Sequence, residues 1–143
     1  KNNDYLAYIK KMDDSEILPD VPKILTLLKE NAIPIALGSA SKNALPILEK
    51  VGLAHFFDVI VDGNNVTKAK PDPEVFLMAA KKMNLSPSNC IVFEDAVAGI
   101  EAANSANMIS IGIGDKKVLS QAHYIFKDFT EISIDFMKKL INN

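Results

Sequence analysis

Short, continuously apolar runs alternate with amphipathic stretches along most of the chain, and this alternation limits the folds open to it. Such runs lie at residues 33–37, 90–93 and 124–126, and the strands predicted at residues 58–61 and 108–113 are mostly apolar. Runs of this kind are typical of strands that are covered on both faces. Because the stretches between them supply crossover helices, the sequence predicts a doubly wound α/β fold, with a mostly parallel sheet and helices on both faces.

The intervening stretches carry their apolar residues at helical spacing. In one of them Phe76, Ala79, Ala80 and Met83 repeat at i, i+3, i+4 and i+7, which predicts an amphipathic helix that begins near Pro73. Further helices are predicted at about residues 20–31, 41–50, 96–106 and 133–141, and a short one near residues 5–12.

Composition narrows the classes of function. All sixteen cationic residues are lysines, against eighteen acidic residues, so the formal net charge is -2 and there are no arginine forks of the kind that commonly bind nucleic acid. No apolar run approaches the roughly 20 residues of a membrane helix, and the single cysteine, Cys90, cannot form an internal disulfide. We therefore expect a cytoplasmic protein with neither a nucleic-acid nor a membrane partner.

Polar residues follow three of the predicted strands, at the sheet edge where doubly wound folds carry their chemistry. The first group is Ser-Ala-Ser-Lys-Asn at residues 39–43, between a strand and a helix start, where free N–H groups favour an anion. Lys42 opposes the helix dipole there, a cost that phosphate binding would offset. The alternative is that Ser41 only caps the helix and Lys42 is solvated.

The second and third groups are a lysine and a pair of acids. Pro71 biases Lys70 toward an extended backbone ahead of a helix, so Lys70 is either held as a point charge for a phosphoryl group or for carboxylates, or simply solvated. Glu94 and Asp95 adjoin at the end of a buried strand and repel each other unless a cation lies between them. Magnesium is the natural candidate; the alternative is that Asp95 caps the next helix and Glu94 is solvated.

The order of these groups resembles the haloacid dehalogenase superfamily of phosphoryl-transfer enzymes. The residues at 36–43 (ALGSASKN), 70–76 (KPDPEVF) and 94–100 (EDAVAGI) are similar, more narrowly, to its beta-phosphoglucomutase branch. Three separate motifs occur in the family's order and at appropriate spacing, and nearly the whole chain takes part in the resemblance.

The resemblance implies a role for each group. Ser39 would hold the transferring phosphoryl oxygen and Lys70 would neutralise its charge, while Glu94 and Asp95 would bind Mg²⁺. The implied phosphate-binding residues are Ala40, through its N–H group, Ser41, Lys42 and Asn43, the last two on the non-transferring phosphate of the sugar. The implied activity is that of a magnesium-dependent isomerase that converts beta-glucose 1-phosphate to glucose 6-phosphate through an aspartyl-phosphate.

The sequence departs from the family's pattern in one respect. The family carries its nucleophile and its general acid/base in an Asp-x-Asp motif on a first, central strand followed by a helical cap, and this sequence shows no such motif. We therefore interpret residues 1–15 as the end of the cap domain, and residues 16–143 as the phosphoryl-transfer core without that strand. The missing amino-terminal segment would then be a partner of this chain, which we expect to be inactive by itself.

Three alternatives are open on these residues. A sugar-phosphate phosphatase of the same superfamily shares the core motifs, and only the Ser-Lys-Asn at residues 41–43 favours the mutase. A response-regulator receiver domain also places acids, a hydroxyl and a lysine around magnesium, but its acids come first and its lysine last, unlike the order here. The third alternative is a catalytically inactive remnant that binds anions.

The implied missing strand would leave a gap between the predicted strands at residues 33–37 and 90–93. Both strands would then expose unpaired N–H and C=O groups. The gap is filled by the missing segment, by a strand of another chain, or by direct pairing of the two strands, and we expect the first. We also expect the four residues Ser39, Lys70, Glu94 and Asp95 to converge at the carboxyl edge of the sheet.

Overall fold

The computed structural model describes residues 6–7, 21–39, 42–50 and 52–142. The described strands are β1 (Leu6–Ala7), β2 (Ala36–Gly38), β3 (Val59–Val61), β4 (Ile91–Glu94), β5 (Ile109–Ile113) and β6 (Tyr124–Phe126). The described helices are α1 (Val21–Glu30), α2 (Ala44–Lys50), α3 (Glu74–Lys82), α4 (Val97–Ser105) and α5 (Ile134–Ile141). None of these helices is long and apolar enough to cross a bilayer.

Every strand pair in the described residues is parallel. β4 lies between β1 and β5, and β6 pairs with the other side of β5. β2 pairs with β3, and β1 lies beside β2. The α/β class predicted from the alternation of apolar runs is therefore confirmed.

Helices cover the sheet on both faces, and single strands show how the sequence achieves this. In β4, Ile91 and Phe93 pack into a core with α1, α2 and α5, whereas Val92 packs into a second core with α3 and α4. Successive side chains of a strand point to opposite faces, so a strand buried on both faces must be apolar throughout. This requirement explains the continuous apolar runs in the sequence.

The opening segment differs from the predicted short helix where it is described. Leu6 and Ala7 form a strand, in register with Val92 and Phe93 of β4. The free edge of β4 offers unpaired backbone groups, and pairing them outweighs the local preference for a helix. Residues 1–5 and 8–20 lie outside the described residues, so the cap-domain boundary at residue 15 stays a prediction.

The expected gap beside β4 therefore holds residues of this chain itself. β1 occupies the side of β4 that faces β2. None of the three expected outcomes included this arrangement, and β2 and β4 do not pair directly with each other.

Candidate active site

The carboxyl ends of β2 and β4 meet the loop after β3 at one edge of the sheet, and Lys70 joins them. Its Nζ lies 2.9 Å from Oε2 of Glu94, the last residue of β4. It also donates to the backbone oxygen of Gly38, the last residue of β2, at 3.3 Å. One ammonium group therefore connects two strand ends that are far apart in the sequence.

Lys70 is held on a third side by an aromatic ring. Its Nζ lies 4.9 Å from the ring centroid of Phe76, which is fully buried in α3, a separation at which a cation and a π-face attract each other. Only 12% of the Lys70 side chain is exposed. The interpretation of Lys70 as a solvated surface lysine is therefore wrong.

Glu94 is buried, with 1% of its surface exposed. Its Oε1 accepts hydrogen bonds from the N–H groups of Asp95, at 2.9 Å, and of Ala96, at 3.3 Å. Burial raises the pKa of the Glu94 carboxyl to about 7, against the attraction of Lys70, which lowers it. The residue that caps α4 is Ala96, so the interpretation of Asp95 as the cap and Glu94 as solvated is also wrong.

Gly99 in α4 leaves the space that the Glu94 side chain occupies. A Cβ atom built on Gly99 would overlap Cγ, Cδ and Oε2 of Glu94. Any other residue at position 99 would displace the carboxylate from Lys70. The glycine of the EDAVAGI motif is therefore required by the site rather than by the helix, in which glycine is unfavourable.

Asp95 carries the unsatisfied oxygen of the site. Its Oδ1 is buried and accepts no hydrogen bond from the part of the chain that the structure describes. A buried carboxylate oxygen without a donor is costly unless a cation or another donor reaches it, and hard oxygen ligands are those that Mg²⁺ prefers. The donor set at Glu94 and Asp95 thus fits a magnesium ion, although the described residues contain no group of three or more acids, histidines or cysteines that could hold a metal.

Ser39 lies beside Lys70. Its N–H donates to the oxygen of Val61 at 2.9 Å, which places it just beyond the end of β2. Ser39 and Lys70 line one cavity of about 180 Å³, together with Thr67 and Lys68 of the loop after β3. Ser39 and Lys70, predicted from separate parts of the sequence, therefore border the same cavity.

The predicted second phosphate site is described only in part. Ala40 and Ser41 lie outside the described residues. Lys42 and Asn43 are exposed, and the backbone oxygen of Lys42 accepts a hydrogen bond from the Asn64 side chain at 3.2 Å. The role of Lys42 and Asn43 in phosphate binding stays a prediction.

Three residues of the site were not singled out from the sequence. Phe76, Gly99 and Glu74 all lie within the motifs KPDPEVF and EDAVAGI, but their importance depends on contacts across the fold. Glu74 accepts hydrogen bonds from the loop that carries Lys70. The only signal that could have found them is their place in those motifs.

Comparison with known proteins identifies the relatives of this fold and site. The family model for haloacid dehalogenase-like hydrolases matches residues 1–107. A beta-phosphoglucomutase of Bacillus subtilis is 36% identical over 96% of this chain and 61% of its own length. A phosphorylated carbohydrates phosphatase of Thermotoga maritima is 33% identical over 92% of this chain and 66% of its own length.

Solved structures give the same result. The crystal structure of a beta-phosphoglucomutase from Clostridium difficile superposes with a TM-score of 0.85 at 41% identity, over 91% of this chain and 58% of that one. A HAD hydrolase from Entamoeba histolytica superposes with a TM-score of 0.77 at 31% identity, over 90% of this chain and 62% of that one. The chain thus spans about three fifths of the length of these relatives.

Proposed function

Since this chain belongs to the haloacid dehalogenase-like hydrolase family, we propose that the intact protein transfers a phosphoryl group on a sugar phosphate, as a beta-phosphoglucomutase that converts beta-glucose 1-phosphate to glucose 6-phosphate. The observation that carries the proposal is the buried contact between Lys70 and Glu94 at the carboxyl edge of the sheet. A cation held there by three groups is suited to the equatorial oxygens of a transferring phosphoryl group.

The predicted site residues would have different roles in the reaction. Lys70 would neutralise the charge that develops on the phosphoryl group, and Ser39, which lines the same cavity, would bind one of its oxygens. Positions 40–43 would hold the second phosphate of the sugar. Such positioned donors and charges act by stabilising the transition state rather than by covalent chemistry.

Glu94 and Asp95 would hold magnesium, which supplies Lewis-acid neutralisation of phosphoryl charge when bound. Asp95 Oδ1 accepts no hydrogen bond from the described residues and so has free capacity for the ion. Lys70 and the N–H groups of Asp95 and Ala96 orient the Glu94 carboxylate.

The nucleophile would come from an amino-terminal segment that carries the family's Asp-x-Asp motif. An aspartyl-phosphate forms only when a carboxylate attacks the phosphorus atom. Ser39, Lys70 and the two acids stabilise charge but do not replace that carboxylate, so we expect no turnover from these 143 residues alone.

A second candidate is a sugar-phosphate phosphatase. It is favoured by the Thermotoga maritima phosphatase, and by a fructose-1-phosphate phosphatase of Escherichia coli that is 36% identical over 71% of this chain. The core residues would play the same parts, and water would take the phosphoryl group from the enzyme.

The test is an assay of the protein together with the proposed amino-terminal segment. Beta-glucose 1-phosphate is supplied with Mg²⁺; glucose 6-phosphate is followed by a coupled dehydrogenase, and inorganic phosphate is measured in parallel. A mutase produces glucose 6-phosphate and releases no inorganic phosphate, whereas a phosphatase releases inorganic phosphate and produces no glucose 6-phosphate. Lys70→Ala should lower either activity on the order of 100-fold, as loss of one charge-stabilising donor does, whereas Lys82→Ala, at an exposed lysine of α3, should leave it unchanged. No activity in either assay would support the inactive remnant.

A further inference from the structure

The loop that carries Lys70 is fastened to the start of α3 by a single carboxylate. Glu74, the first residue of α3, accepts at Oε1 from the N–H of Thr67 at 3.0 Å and from the N–H of Lys68 at 2.6 Å. The Thr67 hydroxyl also donates to both carboxylate oxygens, at 3.1 and 3.2 Å. Two backbone donors and one hydroxyl on one carboxylate form a strong, charge-assisted set.

The same loop is closed at its other end. Oδ1 of Asp72 accepts from the N–H of Glu74 at 2.9 Å, and the N–H of Asp72 donates to the oxygen of Ala69 at 3.0 Å. Lys70 lies between these two fastenings. These hydrogen bonds therefore fix the Lys70 backbone on both sides, independently of the contacts that its side chain makes.

Glu74 itself is fixed by the helix behind it. Val75 and Phe76, the next two residues of α3, are buried in the core against β2 and β3. The hydrogen bond from the Lys68 N–H is the main cause that lowers the pKa of the Glu74 carboxyl. The loop donors thus favour the ionised form of Glu74, and the ionised form holds the loop.

We propose that Glu74 is a positioning residue, which holds the 67–73 loop so that the Lys70 ammonium group reaches Glu94 and the phosphoryl site. The role in phosphoryl transfer rests on the proposed function, whereas the positioning of Lys70 does not. A lysine side chain has many rotamers, and its ordering is costly. A fastened backbone removes part of that cost and keeps Nζ between Gly38, Phe76 and Glu94.

The test measures the exposure of Lys70 in the folded chain. Limited acetylation with acetic anhydride, followed by peptide mass spectrometry, gives the rate at Lys70 relative to the exposed Lys82. Alkylation of Cys90, which is fully buried, reports any global unfolding.

The variants are Glu74→Ala and Glu74→Gln. In the second, the amide oxygen of the new side chain still accepts from two N–H groups. The control is Glu131→Ala, because Glu131 also accepts from a backbone N–H, that of Lys127, at 2.6 Å but lies after β6 at the other end of the strand order.

In Glu74→Ala the acetylation of Lys70 should rise about tenfold or more, because the 67–73 loop loses the charge-assisted hydrogen bonds that hold it against α3. Glu74→Gln should restore most of the protection, and Glu131→Ala should leave the rate unchanged. An unchanged rate at Lys70 in Glu74→Ala, with Cys90 still protected, would overturn the proposal. If Cys90 becomes reactive in Glu74→Ala, Thr67→Val decides: a rise of about twofold to threefold supports the proposal and no rise refutes it.

Turnover separates this inference from the proposed function. In the protein with its amino-terminal segment, Glu74→Ala should lower kcat for beta-glucose 1-phosphate and leave KM within about twofold, with recovery in Glu74→Gln. Increased acetylation of Lys70 with unaltered kcat would mean that Glu74 positions Lys70 but that Lys70 does not serve the reaction, which contradicts the proposed function and keeps the positioning role.

Discussion

Replacement of Gly99 by alanine should have opposite effects on stability depending on whether Glu94 is present. A Cβ at position 99 would occupy the space of the Glu94 carboxylate, so the carboxylate must leave the N–H groups of Asp95 and Ala96. It also leaves Lys70, of which only 12% is exposed. At a pH above the Glu94 pKa of about 7, the substitution therefore breaks a buried ion pair without removing either charge.

The magnitude follows from two opposing effects. Separation of a buried ion pair costs about 3–5 kcal/mol, whereas alanine is favoured over glycine inside a helix by roughly 0.5–1 kcal/mol. Gly99→Ala should thus lower the free energy of unfolding by about 2–4 kcal/mol. In a Glu94→Ala background the overlap is gone, and the same substitution should raise it by about 0.5–1 kcal/mol.

Urea denaturation followed by circular dichroism measures all four proteins of this cycle. The coupling between positions 94 and 99 should be about 3–5 kcal/mol. Ala98→Gly, at the neighbouring position of α4, gives the helix contribution alone and should not depend on Glu94. Equal effects of Gly99→Ala in the two backgrounds would show that the glycine does not serve the carboxylate, and the reasoning would be refuted.

Three other predictions follow from the same structure. Glu94 has a pKa of about 7 in the folded chain, above the 4.5 of the unfolded chain, so the folded chain binds its proton more tightly. The free energy of unfolding should therefore fall by ~3 kcal/mol as the pH rises from about 4.5 through 7. The urea midpoint should depend less on pH in Glu94→Gln over this range, and an equal dependence in both proteins would contradict the burial effect. Ala32 has a φ of 56°, so Ala32→Gly should raise the free energy of unfolding by about 1 kcal/mol, measured as a higher melting temperature. Asn84→Gly, at φ 61°, should raise it by less because asparagine tolerates this region. Mg²⁺ should bind weakly to these 143 residues, since two adjacent carboxylates supply too few ligands, and micromolar affinity in titration calorimetry would disprove this.

The sequence predicted the strands well where burial on both faces leaves a continuous apolar run. β6 was predicted with its observed bounds, and β4 and β5 within one residue. The run at residues 33–37 extends before the observed β2 because Ile33 and Ile35 are buried in the core without belonging to the β2–β3 ladder. The Ile35 backbone is hydrogen-bonded to Asp58, its N–H to the side chain and its oxygen to the main chain, just before β3. Apolar content reports burial, whereas a strand also needs ladder pairing with its neighbour.

The candidate site was predictable in its charged groups but not in its surroundings. Each of the two has a structural signal beside it in the sequence: Lys70 directly precedes Pro71, and Glu94 comes directly after the predicted strand at residues 90–93. The contacts of Phe76, Gly99 and Glu74 depend on how α3 and α4 pack against the sheet, and helical periodicity only says that these residues lie in helices. The capping role assigned to Asp95 failed because the Glu94 side chain turns back and takes the N–H groups of Asp95 and Ala96 itself.

Leu6 and Ala7 also bear on any strand that a preceding segment would supply. They pair with Val92 and Phe93 of β4 and lie beside β2, in the position that the family resemblance gives to the nucleophile-bearing strand. A strand that entered the sheet there would have to take over their hydrogen bonds with β4, since one edge of a strand pairs with one neighbour at a time. Restoration of turnover by the proposed segment would therefore require these two residues to leave β4.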